Sequence, residues 1–197
     1  MTTQHKKLGF GFMRLPQKDG QVDVPQTKEM VDLFLQRGFR YFDVARPYLE
    51  GKAESYLRQC LTSRYSRDQY ILTNKLSGGC FETEADIRPL FTQQLQDCGV
   101  EYFDIYLMHS QCRENYDHYR KCRAYETAFQ LKEEGLVKHV GISFHDSAAF
   151  LEEILTEYPQ IEVVQLQFNY LDYEDAAIQS RACYEVCQRL GKPVLVM

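Results

Sequence analysis

An α/β fold with a parallel (β/α)8 barrel-type sheet is what this sequence predicts, and three observations predict it. Seven short runs of β-branched and aromatic residues recur at roughly 30-residue spacing, apolar on both faces as strands buried between two layers require. Six stretches with helical spacing of apolar residues separate them, the alternation that builds βα units. No strand is followed by G-x-G-x-x-G or G-x-x-x-x-G-K-[ST], the phosphate loops expected of a doubly wound open sheet.

The first strand, residues 10–13, offers only Gly9-Phe-Gly11 ahead of Phe12, Met13 and Arg14. The others are placed at residues 40–43, 70–75, 102–108, 139–143, 163–168 and 194–197. Of the helices, 27–36 carries Met30, Val31, Phe34 and Leu35 on its apolar side, with Pro25 ahead as in a first turn. Helices at 52–62, 83–96, 120–134, 147–157 and 173–190 follow. Gly38, Gly99, Gly135 and Gly191 each stand just past a helix, where a left-handed residue closes it. Thr83-Glu-Ala-Asp86, and Asp146 before Ser147, read as N-terminal capping signals. The one unusual connection is the polar segment 110–119 (SQCRENYDHY), which falls on the C-terminal face of a parallel barrel. Nothing marks a second domain, so residues 1–197 read as a single barrel domain. An eight-unit barrel takes about 250 residues, and this chain stops on its seventh strand, so the expectation is a barrel that is C-terminally incomplete.

Composition narrows the function. With 23 Lys+Arg against 28 Asp+Glu and a net charge of −5, the chain has no basic face to neutralise phosphates, which argues against nucleic acid. No apolar run approaches the ~18 residues that span a bilayer, and MTTQHKKLGF lacks the apolar core and cleavage site of a leader. Seven cysteines at irregular spacing fit reduced thiols in a cytoplasm, and neither zinc spacing nor any other metal motif is present.

Polar residues at the ends of otherwise apolar strands carry the chemistry. Asp43 ends the second strand, with Tyr48 five residues on; Lys75 ends the third and His109 the fourth. A barrel brings all four to one rim. Singly each has an ordinary reading: a strand-end Asp or His anchors a loop, a strand-end Lys is solvated, and Tyr48 is one of 14 tyrosines. Jointly they form an acid–base set. Asp43 can compensate a buried Lys75, an ammonium beside a tyrosine stabilises its phenolate, and Tyr48 can then give a proton with His109 shaping the same oxygen site.

The segments LGFGFMRLP, GFRYFDVARPY, ILTNKL, EYFDIYLMHS, GLVKHVGISFHDS and VVQLQFNY resemble the aldo-keto reductases, in order and spacing along residues 8–197. The closest likeness is to the bacterial and archaeal branch of aldo-keto reductase-type oxidoreductases. The resemblance implies a catalytic tetrad at Asp43, Tyr48, Lys75 and His109, and reduction of a small aldehyde, ketone or quinone by NADPH (NADH possible). It further implies cofactor contacts from Met13, Asp43, Ser143 and Gln165. Tyr48 would protonate the carbonyl oxygen, His109 would donate a hydrogen bond to it, and Lys75, held by Asp43, would stabilise the tyrosinate. The family's Asn after the serine is replaced by Phe144-His145-Asp146, and the iron–sulfur-type cysteine spacing of this branch has no counterpart. Cys183 and Cys187, four apart on a helix, read as buried structural thiols. Two other readings stay open: a reductase-like barrel serving as a nucleotide-binding regulatory subunit, and an aldolase with Lys75 as Schiff-base nucleophile.

Overall fold

A computed structural model describes residues 6–197; the stretch 1–5, part of the segment read as lacking a leader, lies outside the described residues. Strand β1 (Gly9–Gly11) is followed by a small hairpin, β2 (Gln17–Lys18) and β3 (Gln21–Val22), which the sequence reading did not include. Its turn is Asp19-Gly20, both at positive φ (52° and 76°), the dipeptide that suits a tight hairpin. Helix α1 (Val24–Gln36) starts three residues earlier than expected because Asp23 caps it, accepting from the Gln26 N–H at 3.0 Å. It buries Val31, Phe34 and Leu35, and the Phe34 ring meets Phe42 edge-on at 5.2 Å.

Strand β4 (Tyr41–Asp43) leads through a loop to α2 (Ala53–Leu57), which runs on as a π-helical turn, Arg58–Thr62. Then come β5 (Ile71–Leu76), α3 (Glu84–Cys98) and β6 (Phe103–Gln111). The Thr83–Asp86 capping box forms as read. Of the polar connection at 110–119, Ser110 and Gln111 continue β6, and residues from Arg113 on form a helix that the sequence reading did not include, α4 (Arg113–Lys121), whose Tyr116 and Tyr119 are buried. Arg123, at φ 51°, breaks the chain there, so the single helix read at 120–134 is two, and α5 (Ala124–Glu133) is the second. The described residues therefore hold seven α-helices rather than six.

Strand β7 (Val137–Phe144), α6 (Ala148–Glu157), β8 (Val163–Leu166), α7 (Ser180–Arg189) and β9 (Val194–Val196) complete the chain. Helix α7 is shorter than the expected 173–190. Ahead of it, the Asn169 and Asp175 side chains accept from the N–H groups two residues on, and turns replace the helix. Asp146 does not occupy the N-cap of α6; Ser147 does, while Asp146 accepts from the Arg113 and Ser147 N–H groups. Gly38, Gly99, Gly135 and Gly191 all take positive φ, as their positions predicted.

The strands β1, β4, β5, β6, β7, β8 and β9 lie side by side in that order, every pair parallel. The sheet curls: the Gln165 side chain of β8 reaches Asp43 of β4 across the interior at 3.0 Å, and one cleft is lined by residues of both β1 and β9. Residues on the outer face, among them Phe42, Leu72, Tyr106, Ile142 and Val164, are fully buried beneath the helices. Gly141 marks the tightest approach. A Cβ there would stand 2.3 Å from the Val163 carbonyl oxygen and 2.7 Å from Leu107 Cδ2. Backbone on one side cannot yield, so Gly141→Ala is expected to lower stability by about 2–3 kcal/mol, read by urea unfolding.

Candidate active site

The C-terminal ends of neighbouring parallel strands bring Asp43, Lys75 and His109 together, and the loop after β4 adds Tyr48. Lys75, 1% exposed, lies inside the curl and its ammonium has three donors, all used. One goes to the Asp43 carboxylate, one to Tyr48 Oη at 3.1 Å and one to the Val44 carbonyl at 3.3 Å. Asp43 also accepts from Gln165 Nε2 at 3.0 Å and, more loosely, from the Tyr41 hydroxyl at 3.5 Å. Tyr48 Oη stands 3.4 Å from His109 Nε2, and the two rings meet edge-on. Tyr48 is thereby held between a cation and an imidazole at the rim.

Tyr48 sits where the backbone turns left-handed. Leu49, Glu50 and Gly51 all have positive φ (52°, 57° and 82°), a conformation that costs non-glycine residues about 1–2 kcal/mol each. Packing of Leu49 against the core and the tie of Arg46 described below hold the turn against that cost.

His109 is kept neutral. Burial, then the Lys75 charge, then His145 push its imidazole down to about 3 from an ordinary 6.5. The unfolded chain takes up this proton as pH falls through 6.5, whereas the folded protein waits until about pH 3. His109 therefore contributes stability that is present above pH 6.5 and lost below it. Between pH 7 and pH 5 the wild type is expected to lose about 2 kcal/mol more than His109→Gln, measured by denaturant unfolding at both pH values.

The other expected site residues are distributed less evenly. Ser143 Oγ accepts from the Ser110 N–H at 2.7 Å, leaving its own O–H unassigned, and Ser110 lies in a bulge between Met108 and Gln111. Gln165 commits its Nε2 to Asp43, while its buried Oε1 has no partner. Met13 lies past the end of β1, half-exposed and outside the hydrogen-bonded set. His145 lines a separate cleft with Phe144, Asp146, Gln167 and Ser180, and partial burial there lowers its pKa. Cys183 and Cys187 are buried thiols raised to about 11 and about 12 by that burial.

Several contributors were not singled out from sequence. Ser77 Oγ lies 2.7 Å from His109 Nδ1. Tyr119 of α4 shares its one hydroxyl proton between the carbonyls of Leu76 and His109 at 2.8 and 3.0 Å, strapping the two strand ends together. On the opposite face of β5, Asn74 donates to Glu54 of α2 at 2.8 Å, as does Gln94 of α3 at 3.0 Å. Gln94 also donates to the Lys75 carbonyl and accepts from the Tyr106 hydroxyl. Glu54 in turn pairs with Arg46 at 2.8 Å, on the loop between Asp43 and Tyr48. A polar residue on the helix-facing side of a buried strand, Asn74, was the available signal for this network.

A curled parallel sheet that gathers an Asp–Lys–Tyr–His cluster at the C-terminal ends of its strands is the architecture of a (β/α) barrel with a polar rim. Residues 7–197 match the model of the aldo/keto reductase family, and the chain belongs to that family. Among curated relatives, an NAD(P)H-dependent D-xylose reductase of Pachysolen tannophilus is 25% identical over 97% of this chain. Dihydrodiol dehydrogenase 3 of Bos taurus is 26% identical over 76% of it. The chain spans 65% and 50% of the lengths of those two proteins. An aldo-keto reductase from Klebsiella pneumoniae, solved in complex with NADPH, shares the fold with a TM-score of 0.76 at 18% identity, over 96% of this chain and 62% of that one. Among the described residues no helix is long and apolar enough to cross a membrane.

Proposed function

We propose that this chain forms the barrel of a cytoplasmic, NADPH-dependent reductase of small aldehydes, ketones or quinones, with Tyr48 as proton donor. The observation that carries the reading is the Tyr48 hydroxyl held between Lys75 Nζ at 3.1 Å and His109 Nε2 at 3.4 Å. When bound, the reduced nicotinamide supplies a hydride to the carbonyl carbon. Negative charge then grows on the carbonyl oxygen, and Tyr48 protonates it. Lys75, its remaining donors fixed on Asp43 and Val44, compensates the tyrosinate left behind. Neutral His109 donates a hydrogen bond to the same oxygen without competing for the proton.

Two polar atoms of the interior fit a nicotinamide carboxamide. Gln165 Oε1 is a buried acceptor lacking a donor, and an amide N–H would satisfy it. The Ser143 hydroxyl, already accepting from Ser110, retains its proton to donate to the amide carbonyl. Met13 would pack beside the ring from the first strand end. NADH offers the same carboxamide, so these contacts serve either cofactor.

Fluorescence titration with NADPH, followed by its oxidation with a panel of small aldehydes and quinones, tests the reading on the full-length protein. Binding together with turnover supports it. Tight binding without turnover would make the protein a nucleotide-binding regulatory barrel, and substrate trapped on Lys75 by borohydride would make it an aldolase.

A further inference from the structure

Ser77 stands at the end of β5, two residues beyond Lys75, buried and without a role in the chemistry described so far. Its Oγ lies 2.7 Å from His109 Nδ1. Neither atom has another side-chain partner among the described residues. A neutral imidazole carries one N–H and one lone pair, and its neighbours decide which nitrogen has which. The 2.7 Å separation is typical of a hydroxyl donating and short for an N–H donor, whose common distance is about 2.9–3.0 Å. The imidazole lone pair is also the stronger acceptor of the two. On the other side of the ring, Nε2 is 3.4 Å from Tyr48 Oη, which already accepts from Lys75.

We infer that Ser77 is the positioning residue of His109: its hydroxyl donates to Nδ1 and so keeps the single imidazole proton on Nε2, where it faces the substrate oxygen. The inference rests on the reductase reading for its consequence, though not for the tautomer itself. The opposite tautomer would aim a lone pair at the growing alkoxide and would draw the Tyr48 proton away from it. The geometry is braced from both strands. Tyr119 bridges the carbonyls of Leu76 and His109, one residue before Ser77 and on the histidine itself. Gly78 lets that ring approach, since a Cβ there would lie 3.0 Å from Tyr119 Cε2.

The test is nitrogen-15 NMR of the histidine side chains in the free full-length protein, with the His109 signals assigned by their loss in His109→Gln. The wild type is expected to show Nδ1 as the lone-pair nitrogen and Nε2 as the N–H nitrogen. Ser77→Ala is expected to move both signals toward a mixture of tautomers, and Ser77→Thr, which keeps the hydroxyl, to leave them in place. In turnover, Ser77→Ala is expected to lower kcat about tenfold, the weight of one hydrogen bond, with the NADPH Kd unchanged and Ser77→Thr restoring the rate. An Nδ1–H signal in the wild type, or unchanged signals in a folded Ser77→Ala, would overturn the assignment. Absence of any carbonyl reduction in the full-length protein would instead defeat the reductase reading, while the NMR result still decides the role of Ser77.

Discussion

Replacing Tyr48 by Phe is expected to lower kcat for carbonyl reduction about a thousandfold while leaving the NADPH Kd within a factor of two of wild type. The substitution removes one oxygen and little else. The ring that lies 4.9 Å from the Lys75 ammonium and edge-on to His109 remains. Lys75 keeps Asp43 and the Val44 carbonyl, so the buried cation stays paired and the fold is not at risk. Under the proposed mechanism, what disappears is the proton donor at the point where alkoxide charge would develop. His109 cannot take over: held neutral down to about pH 3, it offers a hydrogen bond but no imidazolium proton. Steady-state kinetics with a reactive aldehyde and fluorescence titration of NADPH separate the two effects. A variant that turned over within tenfold of wild type would rule Tyr48 out as the donor.

Glu54→Ala is expected to cost about 3–4 kcal/mol of stability, more than most substitutions on the surface of this barrel. Burial raises the Glu54 carboxyl above its ordinary range, against the hydrogen bond from Asn74, the Arg46 charge and the hydrogen bond from Gln94. The ion is therefore expensive to hold, and its worth lies in what it satisfies. Without it, the Nδ2 of fully buried Asn74 keeps only a weak contact to Cys98 Sγ at 3.6 Å, and Gln94 loses one of its acceptors. Arg46 retains Asp97 but loses its tie to the inside of the helix layer. Because Arg46 stands on the loop that ends in Tyr48, the loss is expected to reach kcat as well, about tenfold, through misplacement of the phenol. Glu54→Gln, which keeps the side-chain length, is expected to lose about half as much stability. Urea unfolding of the two variants beside wild type measures the effect, and a Glu54→Ala protein as stable as wild type would show that the network is dispensable.

Much of the architecture was legible because local rules govern it. Strands buried on both faces show as short apolar runs, and helix ends declare themselves through Thr83 with Asp86 and through glycines at positive φ. Helix α4 escaped because it turns only two tyrosines inward and is otherwise polar, so no apolar stripe announces it. The break at Arg123 carries no glycine or proline, and the Asp19-Gly20 hairpin is too short to show strand alternation.

The sequence by itself determined the parallel α/β alternation and put Asp43, Lys75 and His109 at strand ends, with Tyr48 in the loop after the first of them. Those are consequences of backbone preference and side-chain periodicity, which act over a few residues. Only the tertiary structure decided which groups meet. Asp43 receives Gln165 from 122 positions away, His109 faces Ser77 across 32, and Glu54 gathers partners from β5, α3 and the Arg46 loop. Such pairings depend on strand register and on the curl of the sheet, and a hydrogen bond reaching only about 3 Å records both.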